Sequence, residues 1–184
     1  MKTRDITLIS LFVALTAVCA QISIPLPSGV PITLQILAVF LSGAILGSKY
    51  GFLSQIVYLL LGTVGIPLFS LGTGGLQILL GLTGGYIWSF PIASFIIGLI
   101  TEKTSHNSNK QKIFQYGISF FIGLVIIYLF GSVQFYILSN MTYIDTIKVT
   151  ILPFIIPDLI KIAISVPLAI KIKNSLLKSN LLYI

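Results

Sequence analysis

The chain has 184 residues, 56% hydrophobic and only 8% charged, against roughly 25% charged in an ordinary soluble domain, so a soluble globular protein is excluded. The net charge of +7 raises nucleic acid as a partner, but the Lys and Arg residues are scattered over short connectors instead of forming one basic face. Anionic lipid headgroups account for them, and no nucleic-acid partner is expected.

Residues 6–48, 50–101 and 113–144 contain no Asp, Glu, Lys or Arg, and each run exceeds the ~20 residues that cross a bilayer as a helix. Helices satisfy their own backbone groups in lipid, and strictly alternating strand-sized segments are absent. The fold class is therefore all-α: a polytopic membrane protein, with residues 1–184 forming one integral membrane domain.

Turn residues and charges divide the apolar runs into six spans. The first covers about 6–24, where Ser10, Ala14, Thr16 and Ala20 are spaced to form a small-residue stripe that serves either close contact with a partner helix or internal packing. A secretory leader ending at Ala20 would leave five spans. Cys19 is the single cysteine and His106 the single histidine, so neither an intramolecular disulfide nor a His/Cys metal site is expected. Pro25, Pro27, Gly29 and Pro31 end the first span, and Thr33 and Gln35 open the second, about 33–46. Gly47 to Gly51 separate it from the third, about 52–65.

Half of the sixteen glycines then fall in residues 62–85, a segment apolar enough for membrane depth and too Gly-rich for a regular helix. It reads as a re-entrant or lid-like outer loop, or as a flexible connector. Tyr86, Trp88 and Phe90 begin the fourth span, about 86–101, as an interfacial aromatic belt or as partners of a bound ring. The fifth span is about 113–138. The sixth runs through Asp158 to about 173.

Two ionisable residues lie clearly within a span, Asp158 and Lys161. Each such charge costs ~2.5–3.5 kcal/mol on insertion scales, and three residues apart they share a helix face. They meet each other as a packing ion pair or converge on one ligand. With six spans and the N-terminus inside, the inner connectors and tails carry Lys2, Arg4, Lys49, Lys103, Lys110, Lys112, Lys171, Lys173 and Lys178, and the outer ones only Lys148. Both termini are therefore expected on the cytoplasmic side.

Pro31-Ile32-Thr33-Leu34-Gln35, Gly62-x-x-Gly65-Ile66-Pro67-Leu68-Phe69, Gly72-x-Gly74-Gly75, Gly81-x-Thr83-Gly84-Gly85-Tyr86 and Pro157-Asp158-Leu159-Ile160-Lys161 together resemble the BioY family, the biotin-specific substrate-binding (S) components of energy-coupling factor transporters. The resemblance covers about residues 21–172. Leu82 stands where the family often has proline, and Pro157 where it often has glycine; both changes affect backbone shape more than chemistry.

The resemblance implies a multi-pass protein of the cell membrane that binds and takes up biotin through an outer cavity. Asp158, Lys161 and Tyr86 carry over as substrate contacts, with Thr33, Gln35, Thr83 and Gly84 beside them. It implies a transmembrane coupling subunit and two cytosolic ATPases as partners, the stripe of Ser10, Ala14, Ala17 and Ala20 being the candidate docking face. No cofactor is implied, and the chain itself has no nucleotide-binding motif. The rival reading is a stand-alone ion-coupled carrier for a vitamin-like substrate. An enzyme is disfavoured, since an aspartyl intramembrane protease needs two aspartates and one lies within a span.

Overall fold

The fold is described from a computed structural model covering residues 2–103, 108–179 and 181; His106 lies outside these residues. Helix α1, Thr3–Gln21, starts with Asp5 in its first turn accepting from the Lys2 backbone N–H at 2.9 Å, where a carboxylate suits the exposed amides of a helix start. Past its end, strands β1, Ser23–Ile24, and β2, Ile32–Thr33, pair antiparallel, Ser23 opposite Thr33. Prolines and Gly29 shape the turn between them.

Helix α2 spans Gln35–Thr63 but is not one rod. Gly47 has φ 82° and ψ −178°, a conformation essentially restricted to glycine. The chain folds back there: the Gln35 side chain donates to the Tyr58 hydroxyl at 2.7 Å and Gln55 to Ser42 Oγ at 3.2 Å, pairs that a continuous helix would hold ~35 and ~20 Å apart. The expected second and third spans are thus two antiparallel arms, 35–46 and 48–63. At the bend, Glu102 accepts from the Ser48 backbone N–H (2.6 Å) and hydroxyl (2.9 Å), while Lys173 Nζ donates to the Ala44 carbonyl (3.0 Å). One carboxylate and one ammonium thereby meet the helix ends of opposite polarity.

Helix α3, Leu76–Leu80, is a short piece within the glycine-rich segment. Helices α4, Gly84–Glu102, and α5, Asn109–Leu138, follow, then the short α6, Tyr143–Thr150, and α7, Ile155–Lys178. Counting the arms of α2 separately, six long apolar segments among the described residues make up the bundle, with α2 packed chiefly on α4 and α4 on α5. The start of α1, the Gly47 bend, the end of α4 and the end of α7 gather at one end, here called basal. The β-hairpin, the glycine-rich segment and the start of α7 form the apical end.

The distribution of residues is that of a protein in lipid. Leu11, Phe114, Phe121, Leu129, Ile137 and Ile160 are exposed on the outside, while Thr16, Ser42, Ser54, Gln55 and Ser94 are buried. Apolar side chains lose nothing by facing hydrocarbon, so polar groups are the ones drawn inward to find partners. Gln55 Nε2 reaches Thr16 Oγ1 (3.2 Å) and Ser42 Oγ, and Ser42 meets Ser94 at 2.9 Å, tying α1, α2 and α4 together at mid-height.

Candidate functional site

The last helix supplies the charged wall of the site. A 3-10 turn over Leu152–Phe154 leads into α7, and Pro157 falls in its first turn, where a missing N–H leaves no helical bond unmade. Asp158 follows, fully buried, with Lys161 one turn on and 5% exposed. Lys161 Nζ lies 2.6 Å from Asp158 Oδ1, and the Tyr128 hydroxyl of α5 donates to Asp158 Oδ2, also at 2.6 Å. The carboxylate thus has a separate donor on each oxygen, the arrangement a buried charge needs to offset its lost hydration.

Tyr86 comes from the first turn of α4. Its ring rests on Gly131 of α5, where any side chain would overlap it, and its hydroxyl donates to the Thr150 carbonyl at the end of α6 (2.9 Å). Across the cavity, Gln35 donates to Tyr58, which donates in turn to the Leu68 carbonyl (2.8 Å). Thr33 Oγ1 accepts from the Gln35 backbone N–H (3.2 Å).

Thr33, Gln35, Thr83, Tyr86, Asp158 and Lys161 line one cavity at the apical end, together with Tyr128 and Ser70. Gly84 does not line it. It lies beneath the Leu79 carbonyl and the Gln134 side chain, with no room for a Cβ, so its place is in the packing of the glycine-rich segment on α4. Tyr128 is the residue that sequence reasoning missed. A phenol in the middle of the otherwise aliphatic and aromatic run Leu124-Val125-Ile126-Ile127-Tyr128-Leu129-Phe130 was the available signal, since a hydroxyl at membrane depth needs a partner.

The roof is ordered by side-chain contacts. Val30 of the hairpin packs with Phe135 and Phe154. The glycine-rich segment is pinned by Gln134 to the Leu79 and Gly81 carbonyls (2.8 and 2.7 Å), by Trp88 to Leu79 (3.2 Å), and by Phe69, whose buried ring stands edge-on to Tyr58. Of the expected aromatic belt, Trp88 is partly exposed while Phe90 is buried on the cavity wall. The cavity has a volume of about 50 Å3, below the ~300–1,000 Å3 typical of ligand pockets.

The stripe on α1 divides. Ser10 and Ala14 are exposed, Ala17 is half-buried against the core, and Ala20 is fully buried. The free face of the helix runs through Thr7, Ser10, Leu11, Ala14 and Val18.

The model of the BioY family matches residues 1–178. The chain is 41% identical over 177 residues to the probable biotin transporter BioY of Pyrococcus horikoshii, covering 95% of this chain and 99% of that protein. It is also 41% identical over 173 residues to the biotin transporter BioY of Thermotoga maritima, covering 93% and 96%. Among solved structures, the S-component for biotin from an ECF-type ABC transporter superposes with a TM-score of 0.85 at 26% identity, covering 95% of each chain.

Proposed function

The chain belongs to the BioY family, and from that premise we propose that it binds biotin in the apical cavity and takes it up as the substrate-specific membrane component of an energy-coupling factor transporter. It is a multi-pass protein of the cell membrane and a transporter, not an enzyme; biotin is its cargo, and no cofactor is needed. The observation that carries the site assignment is the Asp158–Lys161–Tyr128 cluster, a buried charge pair on the wall of the apical cavity. A pair placed only for packing would have no need of a chamber beside it.

Biotin's chemistry fits these groups. Its ureido ring offers two N–H donors and a carbonyl acceptor, and its side chain ends in a carboxylate. Asp158 accepts from ureido N–H groups, and Lys161 donates to the carbonyl or pairs with the carboxylate. Tyr86 and Phe90 offer aromatic faces to the fused rings. Gln35, with donor and acceptor on one amide, and Thr33 and Thr83 complete the polar lining.

The apical end faces outward in this reading, since the basal connectors carry nine basic residues against Lys148 alone on the apical ones. A transmembrane coupling subunit docks on the free face of α1 around Ser10 and Ala14, and two cytosolic ATPases drive release of biotin to the inside.

The test is binding of labelled biotin to the purified chain in detergent. Asp158→Asn and Lys161→Met each weaken it roughly 10- to 100-fold, because each leaves a buried partner unsatisfied. Parent-like affinity in both variants would place biotin elsewhere.

A further inference from the structure

A second concavity, separate from the chamber, runs down the outside of the bundle between α5 and α7 at the basal end, with a volume of about 940 Å3. Its walls are apolar. Phe114 and Phe121 stand along it 69% and 53% exposed, and Gly117 leaves the floor open, with nothing within 4 Å of where a side chain would begin. Ala163 and Pro167 form the opposite side, small or compact residues that leave the groove unfilled.

Polarity is confined to the basal mouth, where Asn109, Lys171 and Asn174 sit together. The groove has no carboxylate among its lining residues, and among the described residues Lys171 enters no ion pair. Lys110 and Lys178 are exposed at the same end. The groove follows residues 109–121 of α5 and 163–174 of α7, ~18 and ~17 Å at 1.5 Å per residue, close to the ~15 Å of one leaflet of hydrocarbon. It therefore starts at the headgroup level and ends near the midplane.

We propose that this groove holds one anionic phospholipid of the basal leaflet, its acyl chain along Gly117, Phe121, Ala163 and Pro167 and its phosphate at Lys171 between the amides of Asn109 and Asn174. Length and charge both select this occupant. A transmembrane helix from another chain would need an apolar groove through both leaflets, and this one stops halfway. A second copy docked about a two-fold axis would bring its own Lys110, Lys171 and Lys178 to the same end, like charge upon like. The cationic mouth instead matches a phosphate, and the amides add hydrogen-bond donors.

The experiment is native mass spectrometry of the purified chain in mild detergent, with phosphatidylglycerol or phosphatidylcholine of identical acyl chains added, and biotin binding measured alongside as the check of folding. The parent is expected to retain phosphatidylglycerol over phosphatidylcholine by roughly fivefold, the effect of one basic side chain near an anionic surface. Lys171→Gln abolishes that preference, and Gly117→Phe, which fills the floor, removes both lipids; biotin binding is unchanged in both. If Gly117→Phe loses biotin binding, Lys171→Gln alone decides. Equal retention of the two lipids by the parent, or a preference that survives Lys171→Gln, would overturn the proposal. So would a two-chain species that Gly117→Phe converts to one chain, which would assign the groove to a second copy.

Discussion

Asp158 accepts through both oxygens, from Lys161 one turn along its own helix and from Tyr128 on the neighbouring one. The two contacts differ in what they depend on. The lysine contact is permitted by helical spacing within one element, whereas the phenol contact exists only because α5 and α7 pack in one register. Tyr128→Phe keeps the ring and removes the donor, leaving one carboxylate oxygen buried without its hydrogen bond. A loss of about 1–3 kcal/mol is expected, read as a lower melting temperature in detergent and about tenfold weaker biotin binding. Unchanged values in both measurements would mean that Tyr128 only fills space. Gly84 illustrates the reverse case: it falls within a motif shared with the family, but its role here is to admit the Leu79 carbonyl at close range.

Among the elements, α2 depends most on a single position. Its two arms cross-link through Gln35–Tyr58 and Gln55–Ser42, and both bonds require the reversal at Gly47. Alanine there must adopt a backbone conformation that costs of order 1–3 kcal/mol, and its methyl group would meet the Glu102 carboxylate. Gly47→Ala is therefore expected to lower the melting temperature by that equivalent while the fraction still folded binds biotin normally, since the chamber lies at the opposite end of the bundle. Weakened biotin binding with unchanged melting would contradict this division.

The α1 stripe makes a second prediction at this scale. Ala14→Leu adds bulk to an exposed face and is expected to spare biotin binding while abolishing copurification with the coupling subunit. Ala20→Leu places the same bulk where a fully buried alanine stands, and destabilises the chain itself by about 1–3 kcal/mol. Intact copurification of the Ala14→Leu protein would remove α1 from the docking face.

At the level of the whole molecule, the bundle separates two environments. The apical end holds a small cavity with a charge pair beneath a roof of short elements; the basal end holds the Gly47 bend, its capping groups and the open apolar groove. The roof rests on single side-chain contacts such as Gln134 on the glycine-rich carbonyls and Val30 against Phe154, while the walls are long packed helices. Opening is therefore expected to displace the roof and leave the walls in place, because separating a few contacts costs far less than parting two helices. The proposed biotin site lies at the apical end, away from the basic residues clustered at the other.

The sequence by itself determined the bilayer as solvent, the six apolar segments and the placement of Asp158 and Lys161 on one helix face. Each of these depends on composition or on spacing within one segment: charge-free runs set the spans, glycines and prolines set the breaks, and three residues of helix bring two side chains onto one face. The linear pattern also carried the motifs that resemble the family. Only the tertiary structure decided that Tyr128 joins the pair, that Gly84 stays out of the chamber, that Ala20 faces inward while Ala14 faces outward, and that the glycine-rich segment is pinned by Gln134 and Trp88. These depend on the rotation of one helix against another. In a chain apolar on nearly every side, the hydrophobic pattern carries almost no record of that rotation.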